Sequence, residues 1–163
     1  NETPHPRILG PEDGDTLGDI AGVRDRFLIG HADTAGRFAL VEHLLAPRAL
    51  AAPVHLHTRE DEYSFVLEGR IGIMLGERQI VAAAGELIFK PRRQWHTFWN
   101  AGEEPARLLE IISPAGLEVL FRELDLLGDA IDDETLTRMA ADYGCAVDFP
   151  ATGELLQRHE LHF

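Results

Sequence analysis

The sequence predicts an all-β fold, a small antiparallel sandwich or barrel, with a helical tail at its C-terminal end. Two observations carry this prediction. Short apolar runs of strand length recur between turn residues from position 24 onward, and the apolar spacing becomes helical after Ser113. The 163 residues, 45% of them hydrophobic, suffice for one buried core. We therefore divide the chain into an N-terminal arm (1–22), a barrel (23–113) and a helical extension (114–163).

The arm is rich in proline, glycine and acidic residues and leaves room for one short strand. The barrel segment then contains eight apolar runs, each of which we predict to be a strand. These runs are 26–30, 37–45, 62–67, 71–75, 79–82, 87–89, 95–99 and 107–112. Many short strands at close, even spacing favour a sandwich or barrel over alternating strands and helices.

Three helices are predicted in the extension. Ser113 and Pro114 form a cap followed by a proline at the first helical position. A second helix begins at the Asp132 cap and stops at Gly144, and a short third one covers 152–159. Their apolar stripes are interpreted as packing faces that cover the barrel or a second subunit.

The charge balance argues against several partners. Fifteen Lys and Arg against 28 Asp and Glu give a net charge of −13, which repels nucleic-acid backbones and anionic membranes. No apolar run approaches the roughly 20 residues that a membrane span needs. The only cysteine, Cys145, excludes an intrachain disulfide and fits a reducing cytosol, so we expect a cytoplasmic protein with no nucleic-acid or membrane partner.

Two stretches, 15 residues apart, are the strongest functional signal. The first has the spacing H-x-H-x4-E-x6-G and comprises His55, His57, Glu62 and Gly69. The second has the spacing G-x5-P-x4-H-x3-N and comprises Gly85, Pro91, His96 and Asn100. Residues i and i+2 of a strand face the same way, so His55 and His57 would point together into the barrel. Three imidazoles and a carboxylate form a ligand set for a first-row metal.

Both stretches resemble the two signature motifs of the cupin superfamily, and specifically of its small single-domain members. The resemblance covers about residues 35–113 and implies a double-stranded β-helix, or jelly-roll, barrel. It also implies that the family's four metal ligands fall on His55, His57, Glu62 and His96. Ala49 and Arg93 stand where the family usually has glycines. Both are turn positions, so these departures concern the local backbone shape and not the metal ligands.

Glu62 is the glutamate that satisfies the family spacing, so we interpret its neighbours Glu60 and Asp61 as solvated turn charges. Three histidines and one carboxylate leave one or two coordination positions open, as in catalytic rather than structural sites. Ligand type permits one divalent transition metal per chain, whether Fe, Mn, Ni, Co, Cu or Zn.

The second motif is unusually aromatic. Phe98 shares strand parity with His96 and is predicted to line the cavity, whereas Trp95 and Trp99 are predicted to pack outward or at a subunit contact. Inward aliphatic residues would make the cavity mostly apolar with few cations, which favours flat, uncharged or phenolic ligands. These aliphatic residues are Val66, Ile73, Met74 and Leu87.

Three further polar residues lie on predicted strands. Glu110, inside an apolar run, is either at a wet edge or paired near the metal or the substrate. His31 and His43 precede the first motif, and we interpret them as structural or surface histidines.

Three functions are compatible with such a site. The first is a quercetinase-like dioxygenase, in which the metal binds a phenolate or enediolate beside O2 and Glu62 accepts the substrate's proton. The second is a non-oxidative isomerase, cyclase, decarboxylase or lyase, in which Glu62 or Glu110 moves protons. The third is a non-catalytic ligand-binding protein. The resemblance also implies a homodimer that pairs through its sheets and its N-terminal arm.

Overall fold

The computed structural model describes residues 4–163, so residues 1–3 of the predicted arm lie outside the described residues. In chain order the strands are β1 (Asp15–Ile20), β2 (Val23–Ile29), β3 (Ala39–Leu45), β4 (Val54–His57), β5 (Asp61–Glu68), β6 (Arg70–Leu75), β7 (Arg78–Ala83), β8 (Leu87–Lys90), β9 (His96–Asn100), β10 (Ala106–Ser113) and β11 (Cys145–Asp148). The helices are α1 (Leu117–Leu127), α2 (Asp133–Asp142) and α3 (Phe149–His159), with a short 3₁₀ turn at Gly128–Ala130.

The strands form two antiparallel sheets. One has the order β1-β2-β3-β10-β5-β8 and the other the order β11-β4-β9-β6-β7. Strands distant in sequence lie side by side in both sheets, because the chain crosses from one sheet to the other. The predicted all-β jelly-roll barrel with C-terminal helices is confirmed, and each of the eight predicted runs overlaps a strand.

Alternation along the strands fills the barrel. On β10 the side chains of Ala106, Leu108, Glu110 and Ile112 are buried, and those between them are partly exposed. Inward apolar side chains of both sheets pack into one core around Val66, Ile73 and Leu108. Glu110 is therefore the one carboxylate in this inward row of β10.

The first helix begins later than predicted. Ser113 is the last residue of β10 and pairs with Asp61 of β5, and its hydroxyl donates a hydrogen bond to the carbonyl of Arg37 at 3.1 Å. The N-cap of α1 is Gly116, which has a φ of 127° and supplies no side-chain cap. The predicted Ser-Pro cap is wrong because pairing with β5 extends the strand through Ser113.

The other two helices carry the expected caps. The carboxylate of Asp132 accepts the backbone N–H of Thr135 at 2.7 Å, as predicted for α2. The third helix starts three residues earlier than predicted, where Asp148 accepts the N–H of Ala151 at 2.9 Å. No helix within residues 4–163 is long and apolar enough to cross a membrane.

A strand interrupts the predicted helical extension. After Gly144, which adopts a φ of 74°, β11 runs antiparallel to β4, with Cys145 opposite His57 and Val147 opposite His55. Four residues are too few to show a period, which is why the sequence did not reveal β11. The extension therefore completes the sheet that carries the first two predicted ligands.

One predicted orientation is refined and one is wrong. Trp99 packs on the outer side of its sheet, as predicted, but α3 covers it there and leaves it 3% exposed beside Leu155. Met74 packs against the cluster of Leu50, Val54, Trp99 and Leu155, which we call the outer cluster, and not into the cavity. Adjacent strand residues face opposite ways, and Ile73 is the inward one.

A substitution in the outer cluster tests how the sheet that contains β4, β9 and β6 packs. Gly72 is the cross-strand partner of Trp99, and a Cβ at Gly72 would lie 2.2 Å from Cε2 of the indole. We expect Gly72→Ala to displace the ring and lower the free energy of unfolding by about 1–3 kcal/mol. Urea denaturation measures this change.

The control carries the same substitution at an open position. Gly153 lies inside α3, and a Cβ there would meet no atom within 4 Å. We expect Gly153→Ala to raise the free energy of unfolding by about 0.5–1 kcal/mol through helix propensity. If both variants were stabilised, the close fit of Trp99 on Gly72 would be contradicted.

Candidate metal centre

Three strands, two from one sheet and one from the facing sheet, bring the four predicted ligands together. β4 supplies His55 and His57, β5 supplies Glu62 and β9 supplies His96. His55 and His96 are direct cross-strand partners, and the i, i+2 spacing places His57 on the same face as His55. One nitrogen or oxygen of each residue lies within 4.8 Å of those of the other three.

The Nδ1 atom of each ring is already engaged. In His55 it lies 2.6 Å from the carbonyl of Pro53, and in His96 it lies 2.9 Å from the carbonyl of Gln94. A carbonyl can only accept, so both rings carry their proton on Nδ1 and present a bare Nε2. In His57 the Nδ1 atom lies 3.0 Å from Sγ of Cys145 on β11.

The Nε2 atoms of His57 and His96 lie close to the carboxylate of Glu62 but form no well-aligned hydrogen bond with it. Oε1 of Glu62 lies 2.7 Å from Nε2 of His57 and 3.3 Å from Nε2 of His96. All three atoms are buried, yet none has a hydrogen bond of acceptable geometry. Nε2 of His96 and the carboxylate of Glu62 are both acceptors, and buried acceptors that face one another destabilise the site unless a proton or a metal cation joins them. The donor set therefore fits a divalent metal ion, and the fixed Nδ1 partners orient it as in known metal sites.

The pKa values follow from burial and charge. Burial, together with the neighbouring His96 and His57, holds the pKa of His55 well below its usual range. Burial lowers the pKa of His57 too, but Glu62 and Cys145 outweigh it and raise this pKa to about 10. A metal ion needs both rings unprotonated, so binding would displace a proton from His57.

The interpretation of Glu60 as a solvated turn charge is wrong. Glu60 is 5% exposed rather than solvated, and Oε2 lies 3.9 Å from Nδ1 of His57. Burial raises the pKa of its carboxyl. Asp61 is a partly exposed turn charge that pairs with Arg92 at 2.9 Å. Neither belongs to the group of four that could hold a metal.

The two departures from the glycine pattern are accommodated by the backbone. Arg93 adopts a φ of 64°, the region that favours glycine, and its N–H donates to the carbonyl of His57 at 2.6 Å. An L-residue pays roughly 1–2 kcal/mol for that conformation, and the hydrogen bond beside a ligand offsets part of it. Ala49 is fully buried and its carbonyl accepts the N–H of Asn100 at 3.0 Å.

The ligands open onto a cavity of about 640 Å³ between the barrel and helices α1 and α2. Its wall is mostly apolar, and Phe98 lies in it as predicted. Val66 is fully buried in the barrel core, whereas Leu87 is 59% exposed on the outer surface and its predicted inward orientation is wrong. This volume is typical of sites for small organic ligands.

A buried ion pair underlies the cavity. Glu110 is fully buried, so the alternative of a wet edge is wrong. Nζ of Lys90 lies 2.7 Å from the carboxylate of Glu110, and the hydroxyl of Ser64 donates a hydrogen bond to the same carboxylate at 2.5 Å. Nζ of Lys90 also lies 4.5 Å from the ring centroid of Phe98. Among the residues that the structure describes, the cavity lining contains no lysine or arginine, in agreement with the expectation of few cations. Buried Lys90 itself was not predicted, because Leu87 and Phe89 are as apolar as the inward Ile88 and hide the parity of β8.

The wall also contains an imidazole that sequence reasoning set aside. His43 of β3 and Asp25 of β2 are cross-strand partners, both buried, and Nδ1 lies 2.6 Å from Oδ1 of Asp25. His31, by contrast, has a 57% exposed side chain and pairs with Glu118 at 3.0 Å. The sequence did contain a signal that Asp25 points inward, because it alternates along β2 with the inward residues Val23 and Phe27.

A jelly-roll barrel that brings three histidines and a glutamate together from its two sheets is typical of a class of metal-binding β-barrel proteins. Residues 41–112 match the family model described as the cupin domain. The barrel segment of the chain therefore carries a cupin domain, as the sequence motifs predicted.

Two curated relatives come from Streptomyces. The polyketide synthase CurC of Streptomyces cyaneus is 29% identical over 80 residues, which are 49% of this chain and 52% of that protein. The tetracenomycin polyketide synthase protein TcmJ of Streptomyces glaucescens is 25% identical over 93 residues, 57% of this chain and 62% of that protein. The chain thus spans between half and two thirds of the length of these relatives.

Solved structures show the same fold. The polyketide cyclase RemF from Streptomyces resistomycificus is 29% identical, with a TM-score of 0.57 over 66% of this chain and 75% of that one. KdgF from a Halomonas species is 16% identical, with a TM-score of 0.62 over 71% of this chain and 99% of that one. The latter likeness supports the fold alone.

Removal of one ligand tests the metal centre. We expect His57→Ala to retain much less metal after dialysis than the wild type, because one of the four donors is lost and the affinity of the site falls. Elemental analysis of purified protein measures the metal per chain. His31→Ala, which removes an exposed histidine, should retain the full content, and equal metal in both variants would contradict the ligand assignment.

Proposed function

We propose that this protein is a metal-dependent enzyme that catalyses a non-oxidative cyclisation of an enolisable, polyketide-like aromatic ketone. One observation carries the proposal: a three-histidine, one-glutamate centre opens onto an apolar cavity of about 640 Å³ that also presents proton-transfer groups. A cavity of this kind suits a planar, weakly charged molecule, and a carbon acid needs both an electrophile and a base.

The relatives support the substrate class. CurC and TcmJ are described as polyketide synthase proteins and RemF as a polyketide cyclase, and RemF shares 29% of its aligned residues with this chain. Because a fold hosts many activities, the names alone would not suffice. They agree, however, with an apolar cavity in which His43 and Phe98 line the wall.

Different residues of the site would bind the metal ion and bind the substrate. His55, His57, Glu62 and His96 would hold the ion, which when bound supplies Lewis-acid stabilisation of an enolate oxygen. Phe98 and the apolar wall bind the ring system and exclude water, which strengthens every electrostatic contact inside. The charge of Lys90, together with that of His57 before metal binding, outweighs burial and holds the pKa of Glu62 well below its usual range, so the carboxylate stays ionised.

An oxygen-dependent reaction is the second candidate. The same ligand set accepts Fe(II), Ni(II) or Mn(II), and a quercetinase-like dioxygenase would use it to bind a phenolate beside O2. What favours cyclisation is that the cavity already contains a paired imidazole, His43, that a dioxygenase relying on Glu62 alone does not need.

Oxygen dependence separates the two candidates. We expect Zn(II)-loaded protein to convert aromatic 1,3-diketones at equal rates in air and in anaerobic buffer, because a cyclisation only rearranges bonds. The same protein loaded with Fe(II), Ni(II) or Mn(II) is assayed on a flavonol panel for O2 uptake and carbon monoxide release. Oxygen consumption with carbon monoxide release, and no anaerobic turnover, would contradict the cyclase proposal and favour the dioxygenase.

We also propose a homodimer, with the outer face of β5 and β8 as the contact. Phe65 and Leu87 are cross-strand partners there, both exposed, and Tyr63 stacks on exposed Phe89 at 5.1 Å between ring centroids. A second copy would bury this apolar face. The cytoplasmic location stays a prediction as well.

Light scattering tests the dimer. We expect a mass of about 36 kDa, twice the 18.1 kDa of the chain, and a mass near 18 kDa for Leu87→Arg, because a charge at the centre of the face opposes its burial. Leu126→Arg, which alters an exposed apolar residue of α1, serves as the control for added charge. A wild-type mass of 18 kDa would contradict the dimer.

A further inference from the structure

A pair of titratable residues lies in the wall of the cavity, apart from the four ligands. The pair is His43 and Asp25, which face each other across β3 and β2. Oδ1 of Asp25 lies 2.6 Å from Nδ1 of His43. If the carboxylate accepts the Nδ1 proton, the tautomer is fixed and Nε2 is the nitrogen left for a ligand.

Among residues 4–163, the Nε2 atom has no hydrogen-bond partner. Oε2 of Glu110 lies 3.9 Å from it, which is beyond hydrogen-bond distance. The rings of Phe98 and Phe121 flank the imidazole, with centroids 5.5 and 5.7 Å from it. A buried histidine with a purely structural role normally uses both nitrogens, whereas this one presents the second to an aromatic-walled cavity.

Charges surround the imidazole from four elements. Burial lowers the pKa of His43, but Asp25 and Glu110 outweigh burial and Lys90, so this pKa lies above its usual range. On α1, burial and the neighbouring Asp25 raise the pKa of Asp125 to about 8, which leaves that carboxyl mainly protonated near neutrality. Asp25 supplies the carboxylate oxygen that lies within hydrogen-bond distance of Nδ1.

We propose that His43 is a second catalytic residue, which removes a proton from a carbon atom of the substrate and returns it to an oxygen atom, with Asp25 as its positioning residue. This inference rests on the proposed function. It adds a constraint on the substrate, which must place one oxygen among the four ligands and a second oxygen near Nε2 of His43.

The step balances within one substrate molecule. Neutral His43 takes a proton from the carbon beside a carbonyl group, and the C–H electron pair becomes the enolate. The enolate carbon attacks a second carbonyl carbon of the same molecule, so that a C–C bond forms and the C=O π pair moves to oxygen. The imidazolium of His43 then donates its proton to that oxygen, which regenerates the neutral base.

The position of His43 agrees with this role. It lines the same cavity as His55, His57 and Glu62, so a flat substrate bound at the metal centre lies within that shared space. Phe98 lines the same cavity, and its ring centroid is 5.5 Å from that of His43. A planar ring stacked along Phe98 would therefore reach His43.

Deuterium exchange tests the proton transfer without the natural substrate. The probe is ortho-hydroxyacetophenone, whose phenol and carbonyl oxygens chelate metals and whose methyl protons exchange slowly in water. Zn(II)-loaded protein in D2O is followed by the loss of the methyl signal in proton NMR. We expect catalysed exchange by the wild type and a roughly 100-fold or greater loss in His43→Gln.

Matched variants separate catalysis from folding and metal binding. His31→Gln, which alters an exposed histidine that also pairs with a carboxylate, should exchange at the wild-type rate. His43→Gln should retain its metal content and a cooperative melting transition. In metal-free protein, NMR titration of the His43 ring should give a pKa above 6.5, and Asp25→Asn should lower it.

The pH profile gives a further readout. Only the neutral ring accepts a proton, so the exchange rate should rise with pH through an inflection above 6.5, and Asp25→Asn should move that inflection to lower pH. Wild-type exchange that persists unchanged in His43→Gln would overturn the role of His43 and leave the proposed function intact. Absence of exchange by the wild type, with this probe and with aromatic 1,3-diketones, would overturn both.

Discussion

The hydrogen bonds at the Nδ1 atoms of the ligand histidines are the constraint on which the site depends. Backbone carbonyls of Pro53 and Gln94 hold the rings of His55 and His96, so that their bare Nε2 atoms must face the carboxylate of Glu62. Such an arrangement is unfavourable by itself, because buried acceptors meet without donors. A cation resolves the conflict, and the surrounding strands are rigid enough to keep the donors in place until one binds.

The C-terminal extension shapes the centre as much as the barrel does. β11 adds a strand beside β4 and places Cys145 against Nδ1 of His57, while α3 covers Trp99 on the outside of the same sheet. Helices α1 and α2 close one side of the cavity. The metal centre, the cavity and the stability of the second sheet are therefore coupled through one segment of about 50 residues.

Buried charge is the less expected property of this core. Lys90 and Glu110 form a fully buried ion pair, and Asp25 and His43 form a second pair nearby. Unpaired charges would be costly here, so each is stable only because its partner comes from another strand. The two pairs set the electrostatic environment of Glu62 and of the cavity wall, which is why we assign proton transfer to His43 rather than a purely structural role.

The sequence by itself determined the fold class, the strand segments and the four candidate ligands, because strand period and motif spacing are local properties that a linear chain displays. It could not determine which inward residues meet. β8 carries apolar residues on both faces, so Lys90 was hidden, and β11 was too short to show a period. Pairing between distant strands decided that Asp25 faces His43 and that Cys145 faces His57. Only the tertiary structure brings these side chains together, because no local pattern encodes contacts between residues 18 or 88 positions apart.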